Sequence, residues 1–177
     1  MDFLPEKLND YVEKHSQPEP ELLAKLNRET WQKVIAPRML SGHLQGRVLS
    51  MLSKLIQPKN ILEIGTYTGY SALCLAEGMQ ENGELHTIDI NEELYDFQRK
   101  YFDESSFGKR IFQHLGNALE LIPKLDKTFD LVFIDADKNN YPNYLEIILP
   151  KLKKGSVILS DNVLWSGKVV EKVKVDD

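Results

Sequence analysis

A single cysteine, Cys74, leaves this 177-residue chain without an internal disulfide, which fits a reducing compartment. Cys74 sits between apolar residues in SALCLAEGM with no basic neighbour in sequence to lower its pKa, so it reads as a buried structural thiol rather than a nucleophile. No apolar run approaches the ~20 residues that span a bilayer, and the charged, amphipathic start MDFLPEKLNDYVEKHS has no signal-peptide core. The expectation is a cytoplasmic protein with no membrane partner. Positive charge is also short: 22 Lys and Arg against 27 Asp and Glu give a net charge of −5. A general electrostatic pull on nucleic acid is therefore excluded, although a local basic patch is not.

What remains is an ordinary globular balance, with 42% hydrophobic and 28% charged residues, in a length that favours one domain. The first 56 residues read as helices. Phe3, Leu4, Leu8, Tyr11 and Val12 mark one face over 2–15; Leu22, Leu23 and Leu26 mark a second helix after Pro20. Leu44, Val48, Met51, Leu52 and Leu55 follow helical spacing from near Ser41 until Pro58 stops them. From residue 60 the pattern changes to short apolar strands at 60–64, 84–88, 111–115, 131–134 and 157–159. Helical stretches lie between them at about 70–80, 92–106, 117–125 and 141–153. Strands spaced by helices predict βαβ units and a mostly parallel sheet with helices on both faces. Ligands bind such sheets at the carboxyl ends of the strands.

The first strand and its turn, NILEIGTYTGYSALCLA, lack most of a dinucleotide fingerprint, which requires glycines at 65, 67 and 70. Positions 67 and 70 are Tyr67 and Tyr70, which argues against close approach of a pyrophosphate. Glu63 at the strand end suits a ligand with cationic sulfonium and ammonium groups, whose own carboxylate finds donors near Ser71 at the next helix start. Asp89 ends the second strand, placed to accept from both hydroxyls of a ribose. The plainer alternative is that both acids only cap helices.

Asp135 closes the fourth strand in FDLVFIDADKNNY, and Asp161-Asn162 the fifth in GSVILSDNVLWSGK. Two carboxylates and an amide oxygen are hard ligands that suit Mg²⁺ or Mn²⁺, with positions left for water and substrate; without histidine or cysteine, zinc is a poor fit. The alternative is that Asp137 caps a helix and Asp161-Asn162 is a simple turn. Lys138, beside Asp135, is a candidate base if a metal lowers its pKa.

Taken in order, LEIGTYTGYSALCLA, TIDINEE, GNALE, FDLVFIDADKNNYPNY and SDNVLWSGKVV resemble the metal-dependent O-methyltransferases of the catechol and caffeoyl-CoA type and their bacterial relatives, from about Pro37 to Val170. The resemblance implies an α/β, Rossmann-like class I methyltransferase fold and S-adenosyl-L-methionine as cofactor. It places Glu63, Gly65, Thr66, Ser71 and Asp89 around that cofactor, Met39 and Ser41 over it, and Asn117-Ala118 beside its adenine. Asp135, Asp161 and Asn162 match the family's metal ligands, for Mg²⁺ with Mn²⁺ or Ca²⁺ able to replace it. Lys138 matches the general base, and Asp135 also approaches the amino group of the methyl donor. Further implications are a homodimer and an aromatic small-molecule acceptor with vicinal hydroxyls, against which Trp165 is a candidate apolar wall.

One domain over 1–177 is expected, with 1–56 as a helical cap segment and 57–177 as the cofactor-binding core. The family normally continues with a final helix and two antiparallel strands, so the core is expected to be incomplete at its C-terminal end, lacking the antiparallel hairpin. Two alternatives keep parts of this reading. One is a transfer RNA 5-hydroxyuridine O-methyltransferase, with Lys33, Arg38, His43 and Arg47 meeting phosphates; the other is a cofactor-binding protein without turnover.

Overall fold

The computed structural model describes residues 5–170. Five strands follow the apolar runs: β1 (Asn60–Ile64), β2 (Glu84–Asp89), β3 (Ile111–Leu115), β4 (Phe129–Ile134) and β5 (Leu152–Ser160). They form one sheet in the order β3-β2-β1-β4-β5, parallel throughout. Crossovers leave β1 in one direction towards β2 and β3 and in the other towards β4 and β5, so a switch point lies between β1 and β4.

Successive side chains on a strand point to opposite faces, and here both faces are buried. Ile61, Leu85, Ile111, Leu131 and Phe133 pack on one side with α2 (Glu21–Lys33), α3 (Gly42–Ile56), α4 (Tyr70–Ala76) and α5 (Tyr95–Glu104), which contribute Leu23, Leu26, Leu49, Tyr70, Tyr101 and Phe102. Leu62, Ile64, Ile88, Val132 and Ile134 pack on the other with α6 (Ala118–Leu121), the 3₁₀ turn that follows it (Ile122–Lys124) and α7 (Tyr141–Ile148), through Ala118, Ile122, Tyr144 and Ile148. Such double burial accounts for strands that read as continuous apolar runs rather than alternating ones.

Differences from the expected elements have local causes. The helix predicted to reach residue 153 ends as α7 at Ile148, because Pro150 lies in a 3₁₀ turn over Leu149–Lys151. β5 begins at Leu152, five residues before its apolar run, since Lys153, Lys154 and Gly155 extend the strand with no hydrophobic signal. The first helix is α1 (Glu6–His15), behind Pro5, and buries none of its residues fully. Phe3 and Leu4, expected on its face, lie outside the described residues, as does the tail over 171–177. Among the described residues, no helix is long and apolar enough to cross a membrane.

Candidate active site

The parallel ladder runs on past the strand ends and ties the loops together. Gly65 N–H donates to the Ile88 carbonyl at 2.9 Å, Asp135 N–H to Ile64 at 2.9 Å, Asp161 N–H to Ile134 at 3.0 Å and Gly116 N–H to Asp89 at 2.8 Å. The residues at all five strand ends are thereby presented to one side. They open onto a cavity of about 1640 Å³, more than the roughly 300–1,000 Å³ typical of a single small-molecule site, so a nucleoside and a second ligand fit together. Met39, Ser41 and Gln45 cover it from the N-terminal side.

Gly65 stands where β1 and β4 converge. Its φ of +99° is left-handed, and a Cβ there would be driven into the carbonyl oxygen of Asp135. The glycine is required for this close approach of two strand ends. Tyr67 takes the place of a middle fingerprint glycine with φ +49°. Its backbone N–H donates to Asp89 Oδ2 at 2.7 Å, and its carbonyl accepts from Gln98 Nε2 at 2.7 Å. Asn91 N–H holds the other Asp89 oxygen at 2.9 Å, so the acid at the end of β2 is fixed by two backbone donors with lone pairs to spare. Asn117 accepts from Leu119 N–H at 3.0 Å and caps α6.

Of the residues singled out from the sequence, Met39, Ser41, Gly65, Thr66, Ser71, Asp89, Asn117, Ala118, Asp135, Lys138, Asp161 and Asn162 all line this cavity. Glu63 does not. It is fully buried, accepting from Ser71 Oγ at 2.6 Å and Thr87 Oγ1 at 2.5 Å. Ser71 lines the cavity and Glu63 lies directly behind it. Burial pushes the Glu63 carboxyl up to about 8, against the pull of the Ser71 and Thr87 hydroxyls and with the help of Asp135 and Asp89.

At the β4 and β5 ends, burial and the neighbouring Asp161 charge raise the Asp135 pKa, opposed by Lys138. Lys138 Nζ lies 3.2 Å from Asp135 Oδ1 and donates to Tyr141 Oη at 2.7 Å. Burial lowers the Lys138 pKa, but Tyr141 and Asp135 outweigh it and raise the pKa overall. Tyr141 Oη in turn lies 3.1 Å from both the Ile134 and the Asp161 carbonyl oxygens, linking the two strand ends. Asp161 is held by Asn162 N–H at 2.7 Å and by Gln45 Nε2 at 2.8 Å. Two mutually repelling carboxylates beside a carboxamide are a donor set that fits a hard divalent cation. Among the described residues no third His, Cys, Asp or Glu joins them, which leaves positions around such an ion for neutral donors such as the neighbouring Asn162 carboxamide.

Three features differ from the sequence reading. Trp165 does not line the cavity; it is 41% exposed, with Lys168 Nζ 5.3 Å from its ring centre. Of Lys33, Arg38, His43 and Arg47, Arg38 lines the cavity and the other three have partners. Arg47 is buried against Glu77 at 2.7 Å, Lys33 pairs with Glu29 at 2.8 Å, and His43 Nε2 lies 2.6 Å from the Gln17 carbonyl oxygen. Arg47 also brings Nη2 to 3.5 Å from Cys74 Sγ, a basic neighbour hidden in the sequence. Burial nonetheless pushes the thiol up to about 12, in keeping with a buried structural thiol. Gln45, Tyr141 and the backbone contact of Tyr67 with Asp89 are not among the sequence patterns above. Tyr141 alone leaves a signal in the sequence, three residues after Lys138 at the start of a helix.

The sheet order, with its acids at the β2, β4 and β5 ends, is that of a Rossmann-like class I methyltransferase fold. The solved structure of TomG from Streptomyces achromogenes, an O-methyltransferase in complex with SAM, superposes with a TM-score of 0.88 at 30% identity over 96% of this chain and 78% of that one. The SAH-bound methyltransferase PaMTH1 of Podospora anserina gives 0.85 at 32% identity over 91% and 70%.

The chain belongs to the O-methyltransferase family, whose model matches residues 13–177. Among its relatives is the caffeoyl-CoA O-methyltransferase of Petroselinum crispum, 38% identical over 86% of this chain and 66% of that protein. Another is caffeoyl-CoA O-methyltransferase 5 of Nicotiana tabacum, 39% identical over 86% and 65%. The chain thus spans just under two thirds of the length of these curated relatives.

Proposed function

We propose that this protein transfers the methyl group of S-adenosylmethionine to one hydroxyl of a vicinal dihydroxy aromatic small molecule, with a divalent cation, Mg²⁺ by preference, at Asp135, Asp161 and Asn162. The observation that carries the reading is one cavity onto which a ribose-type acid and a pair of hard-oxygen acids both open. Asp89, fixed by two backbone donors, accepts from the ribose hydroxyls. Asn117 and Ala118 border the adenine. Gly65, Thr66 and Ser71 surround the methionine portion, with Met39 and Ser41 above it, and Asp135 approaches its amino group.

When bound, the cation supplies Lewis acidity that lowers the pKa of the acceptor hydroxyl. The residues around it do the rest. The pull of Asp135 and Tyr141 on the Lys138 proton would be opposed by a cation held at the acid pair, shifting the amine toward its neutral form, in which Lys138 would receive the proton of the hydroxyl to be methylated. When bound, S-adenosylmethionine would supply the methyl carbon for that oxygen to attack, with the carbon–sulfur bond electrons leaving on sulfur. Holding donor and acceptor in one cavity supplies much of the acceleration through proximity. The caffeoyl group named in the relatives carries a vicinal dihydroxy ring, which supports a phenolic acceptor.

Initial rates against a catechol series and its single-hydroxyl analogues, with Mg²⁺ present, test the acceptor. Methylation confined to the vicinal diols is the expected result. Equal rates on the single-hydroxyl compounds would overturn the chelating role given to the acid pair.

A further inference from the structure

Asp161 is gripped from two directions by neutral donors. The backbone N–H of Asn162 holds Oδ1 at 2.7 Å. The side-chain amide of Gln45 holds Oδ2 at 2.8 Å, across a separation of 116 residues. Only the NH₂ end of that amide suits a carboxylate, because its carbonyl would meet the oxygen in repulsion. Gln45 is half-buried at the cavity wall, and its backbone has little room to move. The adjacent Gly46 lets α3 press so closely on α4 that a Cβ there would lie 2.6 Å from the Tyr70 ring and 2.8 Å from Cys74 Sγ.

The partner acid is treated differently. Asp135 faces a cation, Lys138 Nζ, at 3.2 Å. A lysine or arginine in place of Gln45 would neutralise Asp161 and compete with any incoming metal. A neutral amide orients the carboxylate while leaving its charge in place, and each oxygen keeps a further lone pair.

We propose that Gln45 is a positioning residue for the acid pair: from the N-terminal helix α3 it fixes the Asp161 carboxylate in the orientation that receives a divalent cation. The inference rests on the metal reading given above. Partners of this kind orient ligands without touching the ion, and their loss typically weakens metal binding by 10–100-fold.

The test is Mn²⁺ binding to the full chain, followed by the electron paramagnetic resonance of free Mn²⁺, for wild type, Gln45→Met, Gln45→Ala and Asp161→Asn. Methionine keeps the length and apolar stem but donates nothing, and alanine is a second truncation should methionine pack poorly. Thermal unfolding and calorimetric SAH affinity establish that each variant is folded with its cofactor site intact. The expected result is Mn²⁺ affinity lowered about tenfold in both Gln45 variants, with SAH affinity and unfolding midpoint unchanged. Wild-type Mn²⁺ affinity in both, alongside loss of binding in Asp161→Asn, would overturn the role of Gln45 alone. Absence of Mn²⁺ binding by the wild type would overturn the metal reading and this inference with it.

Discussion

Ser71 Oγ donates to Glu63 Oε1 over 2.6 Å, so the acid ending β1 is turned inwards and held by the serine that lines the cavity. Burial is the largest influence on Glu63 and pushes its carboxyl from 4.5 up to about 8. Between those two values the folded state holds a proton that the unfolded chain has released, so stability falls as pH rises through that window. Glu63→Gln removes the titration. At pH 9 the variant is expected to unfold roughly 5 °C or more above wild type, and near pH 4 the two should nearly coincide. Calorimetric melting across that range measures it; a difference independent of pH would contradict the buried, proton-holding carboxyl.

Glu77 titrates in the opposite sense. Burial raises its pKa, but hydrogen bonds from Arg47, Ser50 and Lys54 outweigh this and hold the carboxyl at about 2. The contribution of this cluster is therefore complete above 4.5 and is lost as pH falls towards 2. Glu77→Gln leaves the buried Arg47 without its anion, and a loss of about 3 kcal/mol at pH 7 is expected, shrinking below pH 3. Urea unfolding at both pH values checks this. An equal loss at each would show that Arg47 does not depend on the charge.

Asp89 is the most direct probe of the cofactor half of the cavity. Asp89→Ala removes the acceptor offered to a ribose and frees the N–H groups of Tyr67 and Asn91. SAH affinity is expected to fall at least about tenfold, the scale of a hydrogen bond to a charged group, while Mn²⁺ binding persists. Unchanged affinity by calorimetry would remove Asp89 from the cofactor site.

Much of this arrangement is legible in the sequence because it follows from local signals. β1 to β4 are apolar runs bounded by turns, and the acids Asp89, Asp135 and Asp161 stand immediately after β-sheet residues, which in a parallel sheet places them on one rim. What the sequence conceals depends on packing between distant elements. Gln45 is one polar residue among several on α3, and nothing local says that it meets Asp161. Glu63 and Asp89 look equivalent at their strand ends, yet Ser71 covers one and leaves the other open. Arg47 reads as a surface cation until Glu77 buries it. β5 is longer than its hydrophobic core because Leu152 pairs with Phe129 across a bulge that holds two lysines and a glycine.

The proposed reaction brings a methyl donor and a metal-assisted acceptor together in one cavity. Transfer of labelled methyl from S-adenosylmethionine to a catechol, with Mg²⁺ and with EDTA, for wild type and Asp161→Asn, tests it most directly. Labelled product is expected from the wild type with Mg²⁺, and next to none with EDTA or with the variant. Product formed equally well in EDTA would contradict it.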